Sequence, residues 1–192
     1  MLKQIVALGA ACLLLTACGG GREEQKEAVV KKDSSAVSQT GDSCAKLYAR
    51  AKASDEILMR AITLDRTVAA KAINDFSNYA SYCKEDSLAP VFYVKAGQVA
   101  QAIGSYSQAQ AMFNNCINNY PRFWNKGAVL FLLAQLYDEH SMLNNEEKAK
   151  EYYEQIIKEF PKSSYATDAQ TAIKNLGKTD EELVKEFLKK NK

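Results

Sequence analysis

Apolar residues recur with the period of an α-helix over most of the chain, and short polar segments interrupt them. The clearest case is residues 90–121, where two apolar-periodic runs flank a short segment that contains Gly104. Pro121 closes the second run, and proline stops a helix because it lacks the backbone N–H and its ring clashes with the preceding turn. This stretch predicts a helix, a tight turn and a second, antiparallel helix.

Small side chains mark where these two helices are expected to cross. Ala96 and Gly97 lie in the first run, Ala109 lies in the second, and Phe113 follows Ala109 by about one helical turn. Residues without bulk allow two helix axes to approach each other. The first helix is therefore predicted to pack Ala96 and Gly97 against the second.

The same pattern occurs again downstream and, in a weaker form, upstream. The downstream copy begins thirteen residues after Pro121 and consists of Ala134, Ala149, Tyr153 and Pro161. The upstream copy ends at Cys83, which precedes Ala96 by the same thirteen residues and takes the place of the closing proline. Residues 43–192 are thus predicted to form one domain of helical hairpins.

This spacing resembles the tetratricopeptide repeat, in which an aromatic residue, a pair ending in glycine, an A-x-x-x-F pair and a final proline recur in order. The resemblance implies an all-α fold, a short right-handed superhelical solenoid of about eight helices stacked as antiparallel hairpins. The longer elbows between hairpins are most similar to those of BamD-type outer-membrane assembly lipoproteins and Tol-Pal-associated coordinator proteins. The positions implied to pack the repeats are Ala96, Gly97, Ala109, Phe113, Pro121, Ala134, Ala149, Tyr153 and Pro161.

Residues 1–17 have the composition of a secretory signal peptide. They carry one charge, Lys3, before an apolar run that is too short for a comfortable membrane span. The sequence Leu-Thr-Ala-Cys that ends at Cys18 resembles the bacterial lipobox, which implies cleavage before Cys18 and acylation of its thiol. The alternative is an uncleaved anchor helix with a cysteine there by chance.

Residues 18–42 contain glycine, serine and mixed charges with almost no large apolar side chains. Such a segment cannot offset its ordering entropy by burial, so it predicts a flexible tether behind the lipid. Gly19 directly after Cys18 favours, by family analogy, sorting to the outer membrane. Both the periplasmic face and the cell surface remain open as locations.

Three cysteines remain for the folded domain. Cys44 and Cys83 lie about equally far from a probable turn at residues 63–65, so antiparallel pairing of the first two helices would bring them together. In an oxidising compartment this predicts a Cys44–Cys83 disulfide, and two unpaired thiols are the alternative. Cys116 is expected to be an inert buried thiol.

Motifs for catalysis, metal binding and nucleic-acid binding are missing from the sequence. His140 is the only histidine, and neither a C-x-x-C nor an H-E-x-x-H spacing occurs. The chain has 25 basic and 23 acidic residues, a balance that gives no electrostatic footprint for nucleic acid. We therefore expect a protein that is not an enzyme and that uses no cofactor or metal.

Binding to another protein is the function that remains. In tetratricopeptide repeats the first helix of each hairpin lines a concave groove, and the resemblance implies that the groove includes Val94, Gln98, Gln101, Leu132, Leu136 and Glu139. Burial between neighbouring repeats is the competing explanation for the apolar members of this set. The expected partner is an envelope protein or peptide, with membrane attachment through acyl chains on Cys18 and the oligomeric state left open. The alternative function is a lipoprotein that captures peptide or glycan ligands at the cell surface.

Two further segments have two interpretations each. Phe123 and Trp124 follow Pro121 and either pack the joint between repeats or anchor a partner. The last helix begins at a capping box formed by Thr179 and Glu182, and its apolar stripe either covers the open end of the array or docks a partner.

Overall fold

A computed structural model describes residues 35–190, with side-chain surroundings for residues 43–179 and 181–189. Eight α-helices and no strand occur in this part of the chain. The helices are α1 (Ser35–Arg60), α2 (Arg66–Tyr82), α3 (Ala89–Ala102), α4 (Tyr106–Asn119), α5 (Lys126–Asp138), α6 (Glu146–Glu159), α7 (Ser164–Asn175) and α8 (Asp180–Lys190). The predicted all-helical fold is confirmed.

The helices stack in the order in which they occur in the chain. From α1 to α7 each helix packs against the next one, and α5 also contacts α7. This arrangement gives the hairpins α1/α2, α3/α4 and α5/α6, followed by α7 and α8. Packing of this kind is that of a tetratricopeptide-like solenoid, as the sequence predicted.

Capping residues and prolines set the ends of the helices. Tyr120 and Phe160 cap the C-termini of α4 and α6, and Pro121 and Pro161 follow them directly. Both prolines are exposed, so they act by stopping a helix and not by filling space between repeats. Asp65 caps α2 and accepts hydrogen bonds from two backbone N–H groups, which places the first turn where the sequence predicted it.

Helix α1 begins earlier than the sequence predicted. It starts at Ser35, within the segment 18–42 that was expected to be tether. A helix that has already formed extends by one backbone hydrogen bond per added residue, which favours its continuation into neighbouring residues. The predicted signal peptide, Cys18 and the tether up to residue 34 lie outside the described residues.

Two apolar clusters fill the described part of the domain. The larger one joins α1 to α5 and contains Phe76, Tyr79, Phe92 and Phe113 among its buried side chains. The smaller one lies between α5, α6 and α7 and contains Leu130, Tyr153 and Ile156. The predicted packing residues Ala96, Ala109, Ala134 and Ala149 are all completely buried.

The last two helices meet at a tight corner. Gly177 follows α7 with a φ of +74°, a left-handed conformation that glycine adopts without strain. Thr179 and Glu182 then form the predicted capping box, in which the Glu182 backbone N–H donates to Thr179 Oγ1 and the Thr179 N–H donates to the Glu182 carboxylate. The corner directs α8 back toward the end of α5.

Candidate functional site

A cavity of about 660 Å³ opens between α3, α5, α7 and α8. We call it the groove cavity. It is lined by Gln101, Phe131, Gln135, Asp138, Glu139, His140, Met142, Tyr153, Ala172, Asn175, Gly177, Lys178, Thr179 and Leu183. Cavities of roughly 300–1,000 Å³ with a few converging polar groups are typical of ligand sites.

The pattern of buried and exposed residues shows which positions of α3 and α5 are equivalent in the two successive repeats. Helix α5 begins 37 residues after α3, and with this offset the exposed Gln98 corresponds to the exposed Gln135. The buried pair Ala96 and Gly97 then corresponds to Leu133 and Ala134. The same offset relates Gln101 to Asp138, and both side chains line the groove cavity.

The spacing of the prolines predicts a correspondence that differs by one residue, in which Ala96 is equivalent to Ala134 and Cys83 to Pro121. Cys83 is instead the C-cap of α2, and Tyr120, the residue before the proline, is the C-cap of α4. The elbows before α3 and α5 are therefore equal in length. The second repeat is three residues longer because the turn between α5 and α6 is four residues longer than that between α3 and α4, while α5 is one residue shorter than α3.

Two of the predicted groove residues line the cavity and one belongs to the core. Gln101 and Glu139 line it, and Gln98 is exposed about one turn before Gln101. Val94 and Leu132 are partly buried against the larger apolar cluster. Leu136 is completely buried, so its assignment to the groove was wrong, because the shifted correspondence moved it from the core face to the groove face.

The sequence analysis missed the groove residues Phe131, Gln135 and Asp138. They lie one position before the predicted residues Leu132, Leu136 and Glu139. An alignment on the helix caps instead of on the prolines would have found them.

Asp138 and Tyr153 form the polar centre of the groove cavity. The Tyr153 hydroxyl donates to Asp138 Oδ2 at 2.9 Å. Burial raises the pKa of the Asp138 carboxyl against the opposing effect of this hydrogen bond; the neighbouring charges of Glu139 and Glu146 raise it further, and His140 lowers it. Burial and the adjacent Asp138 charge also raise the pKa of Tyr153. Asp138 is thus a carboxylate held in a partly desolvated, acidic environment.

Lys178 and His140 are the basic residues on the cavity wall, and the charge of Lys178 is matched within α8. Its ammonium donates to both carboxylate oxygens of Glu186, at 2.8 and 2.9 Å. The carboxylates of Asp138 and Glu139 accept hydrogen bonds from neutral donors, the Tyr153 hydroxyl and the backbone and hydroxyl of Ser141. The cavity therefore has a negative charge excess.

The disulfide lies in the first hairpin, apart from the groove. Cys44 in α1 and Cys83 at the end of α2 are bonded in the structure, with their Cα atoms 5.7 Å apart. Cys116 is a free thiol in the core and donates to the Pro90 carbonyl at 3.5 Å. Burial raises the pKa of the Cys116 thiol to about 12, which makes it unreactive.

A buried carboxylate that the sequence analysis did not identify joins α1 to α2. Asp75 accepts hydrogen bonds from Arg50 at 2.8 Å, Ser54 at 2.7 Å and Lys71 at 2.5 Å. Burial opposes ionisation of Asp75, but these hydrogen bonds and the charges of Lys71 and Arg50 outweigh it and lower its pKa. The cluster holds the first hairpin together and takes no part in the groove.

The elbow aromatics and the apolar stripe of α8 differ in burial. Phe123 packs against the larger apolar cluster, whereas Trp124 is 81% exposed and contacts Phe123 edge-on. In α8, Leu183 lines the groove cavity, while Val184 and Leu188 are more than half exposed. The last helix therefore closes one side of the cavity with Leu183.

The described residues contain no group of three or more histidine, cysteine or carboxylate side chains arranged to hold a metal ion. None of the helices in this part of the chain has the length and apolar content that crossing a membrane requires.

Residues 92–122 and 128–163 match the sequence model of the family described as Tetratricopeptide repeat. These two matches coincide with the hairpins α3/α4 and α5/α6. No curated protein and no solved structure gives a significant match to the chain. Tetratricopeptide repeats are thus detected in the two central hairpins, α3/α4 and α5/α6.

Proposed function

We propose that the protein is a non-enzymatic scaffold, anchored to the membrane by lipid on Cys18, that binds another protein of the cell envelope in its groove. The observation that carries this proposal is the groove cavity, which opens between the first helices of successive hairpins. Its lining residues come from α3, α5, α6, α7 and α8 and from the turns after α5 and α7, so a single extended segment placed there would contact several repeats at once.

The composition of the groove supports a peptide ligand. The backbone of an extended segment needs hydrogen-bond partners, and the Gln101 and Gln135 side chains offer both donors and acceptors. Phe131 and Leu183, which are partly exposed, supply apolar contact area beside them. An adaptor needs such a surface and needs no reacting group.

The lipid anchor and the envelope location follow from residues 1–42, by resemblance to bacterial lipoproteins. Diacylated or triacylated cysteine gives stable membrane attachment, whereas one chain binds only marginally. Labelling of cells with an alkyne-bearing fatty acid tests this step. The proposal predicts labelled protein in the outer-membrane fraction and no label on the Cys18→Ser variant, and equal labelling of both proteins contradicts it.

Partner binding is tested by crosslinking on intact membranes followed by purification. A Gln98→Trp, Gln135→Trp double variant obstructs the groove at two exposed positions, and Glu154→Trp on the exposed side of α6 is the matched control. The proposal predicts one stoichiometric protein partner with the wild type and the control, and its loss with the groove variant. A partner retained by all three proteins would place binding elsewhere, and the absence of any protein partner would overturn the scaffold function.

A further inference from the structure

We propose that the groove cavity receives a cationic side chain, arginine or lysine, from the segment that binds there. This inference rests on the proposed function, because it specifies the chemistry of the partner at the same groove. It is carried by the two carboxylates at the end of α5 and by the aromatic and apolar side chains of Phe131, Met142 and Leu183 that line the same cavity.

The negative charge of the cavity is concentrated at the C-terminal end of α5. Asp138 is the last residue of this helix and Glu139 is its C-cap. The Leu136 and Tyr137 carbonyl groups in the last turn of α5 already accept backbone hydrogen bonds from Leu143 and Asn145, so the charge is that of the two carboxylates. A cation placed beside Asp138 would be attracted by both.

The cation already present on the wall does not neutralise this charge. Lys178 is paired with both oxygens of Glu186. Within the described part of the chain, the hydrogen bonds to Asp138 and Glu139 come from neutral hydroxyl and backbone donors. Burial and the charges of Glu139 and Glu146 disfavour the ionised form of Asp138, and a bound cation would offset both effects by stabilising that form.

The walls suit the long stem of a basic side chain. Phe131 lines the cavity and is partly buried, and its ring packs at 5.7 Å, centroid to centroid, against the ring of Tyr153, which is 2% exposed. The Phe131 ring can therefore attract a guanidinium or ammonium group, and Met142 and Leu183 can cover the methylene groups of the stem. An acidic or purely apolar side chain would leave the charge of Asp138 with the neutral Tyr153 hydroxyl as its hydrogen-bond donor and with no opposite charge beside it.

A metal ion is a weaker candidate for the cation. The described residues include no set of three ligands that could hold one. Arginine, by contrast, needs only one or two carboxylates and an open wall, because its planar guanidinium donates in a fork geometry. The chemistry of the cavity therefore favours an organic cation.

The test is an NMR titration of the ¹⁵N-labelled protein with N-acetyl-arginine amide and with N-acetyl-citrulline amide. Citrulline has nearly the same shape as arginine but no charge. We expect the arginine compound to bind about tenfold more tightly, the ratio that a single charge-assisted hydrogen bond of about 1.4 kcal/mol gives. The shifted amides should lie at the end of α5 and the start of α8.

Two variants and a control make the titration specific. Asp138→Asn and Glu139→Gln keep the shape of each side chain and should each reduce the preference for arginine, whereas Glu154→Gln on α6 should leave it unchanged. Equal binding of both compounds, shifts spread over the whole surface, or an unchanged preference in Asp138→Asn would overturn the inference.

The outcome is separable from that of the proposed function. If the crosslinked partner depends on the groove but arginine is not preferred, the scaffold function stands and the cation pocket is wrong. If arginine binds at the end of α5 but no protein partner is recovered, the pocket stands and the scaffold function is wrong.

Discussion

The aromatic ring of Phe113 lies directly against Gly97. A β carbon built on Gly97 would be 2.6 Å from Cδ1 and 2.8 Å from Cζ of that ring, and closer still to Cε1. Phe113 is completely buried, so the ring cannot move into solvent to make room. The crossing of α3 and α4 therefore depends on the missing side chain at this position.

Substitution of Gly97 is expected to destabilise the fold. Gly97→Ala should lower the free energy of unfolding by about 1–3 kcal/mol through overpacking, although alanine has the better helix propensity. Gly97→Leu should cost more. Urea unfolding followed by circular dichroism measures both.

Gly127 provides the matched control. A β carbon there would meet Phe160 at 3.5 Å, an ordinary van der Waals contact. Gly127→Ala should therefore be neutral or stabilising by up to about 1 kcal/mol. If Gly97→Ala and Gly127→Ala have the same effect on stability, the inference that the α3–α4 crossing requires glycine at position 97 is wrong.

The disulfide is expected to contribute much of the stability of the first hairpin. Cys44 and Cys83 are 39 residues apart, and closing a loop of that length stabilises by roughly 3–4 kcal/mol in the chain-entropy model. The Cys44→Ser, Cys83→Ser double variant should lose this amount relative to the oxidised wild type and should match the reduced wild type. Non-reducing peptide mapping of envelope-derived protein checks the bond itself, and recovery of both thiols in free form would remove the prediction.

Asp75 is expected to make stability depend on pH in the acid range. Its pKa in the folded protein lies below the ordinary value of 3.8, so its ionised form stabilises the fold fully above that pH. As the pH falls through 3.8 toward the folded-state pKa, the stabilisation is lost.

Asp75→Asn should accordingly lower the free energy of unfolding by about 1–3 kcal/mol at pH 7, because Arg50 and Lys71 lose the buried, negatively charged carboxylate that accepts their hydrogen bonds. Both cations are more than half exposed and can turn to water, which limits the loss. The difference from wild type should shrink at pH 3, while the exposed Asp168→Asn should change little at either pH. A difference that is constant across this range would show that the charge of Asp75 is not what stabilises the hairpin.

Cys116 is expected to resist alkylation in the folded protein. Burial keeps its thiol protonated, and the thiolate is the reactive form. Iodoacetamide at mildly alkaline pH should modify Cys116 only after unfolding in guanidinium, as judged by mass spectrometry of the peptide. Modification of the native protein at the rate of an exposed thiol would contradict the buried position between α3 and α4.

Much of the fold was predictable because its signals are local. Helical periodicity, the prolines after Tyr120 and Phe160, and the capping box at Thr179 each depend on residues that are close in the sequence. The spacing of Ala109 and Phe113 was enough to predict the hairpin. These features do not require knowledge of which residue faces which across the stack.

The groove was less predictable, because its residues depend on the rotation of one helix relative to another. A shift of one residue turns a helix by about 100°, which moved Leu136 from the core to the predicted groove. The cluster around Asp75 was missed for a related reason, since Arg50 and Asp75 are 25 residues apart and meet only after α1 packs on α2.

Photo-crosslinking in living cells tests the central claim most directly. A photoreactive amino acid is placed at Gln135 in the groove and, in a separate variant, at Glu154 on the exposed side of α6. The account predicts a crosslink to one envelope protein from position 135 and none from position 154. Crosslinks from position 154 alone, or from both positions to the same protein with equal yield, would contradict binding in the groove.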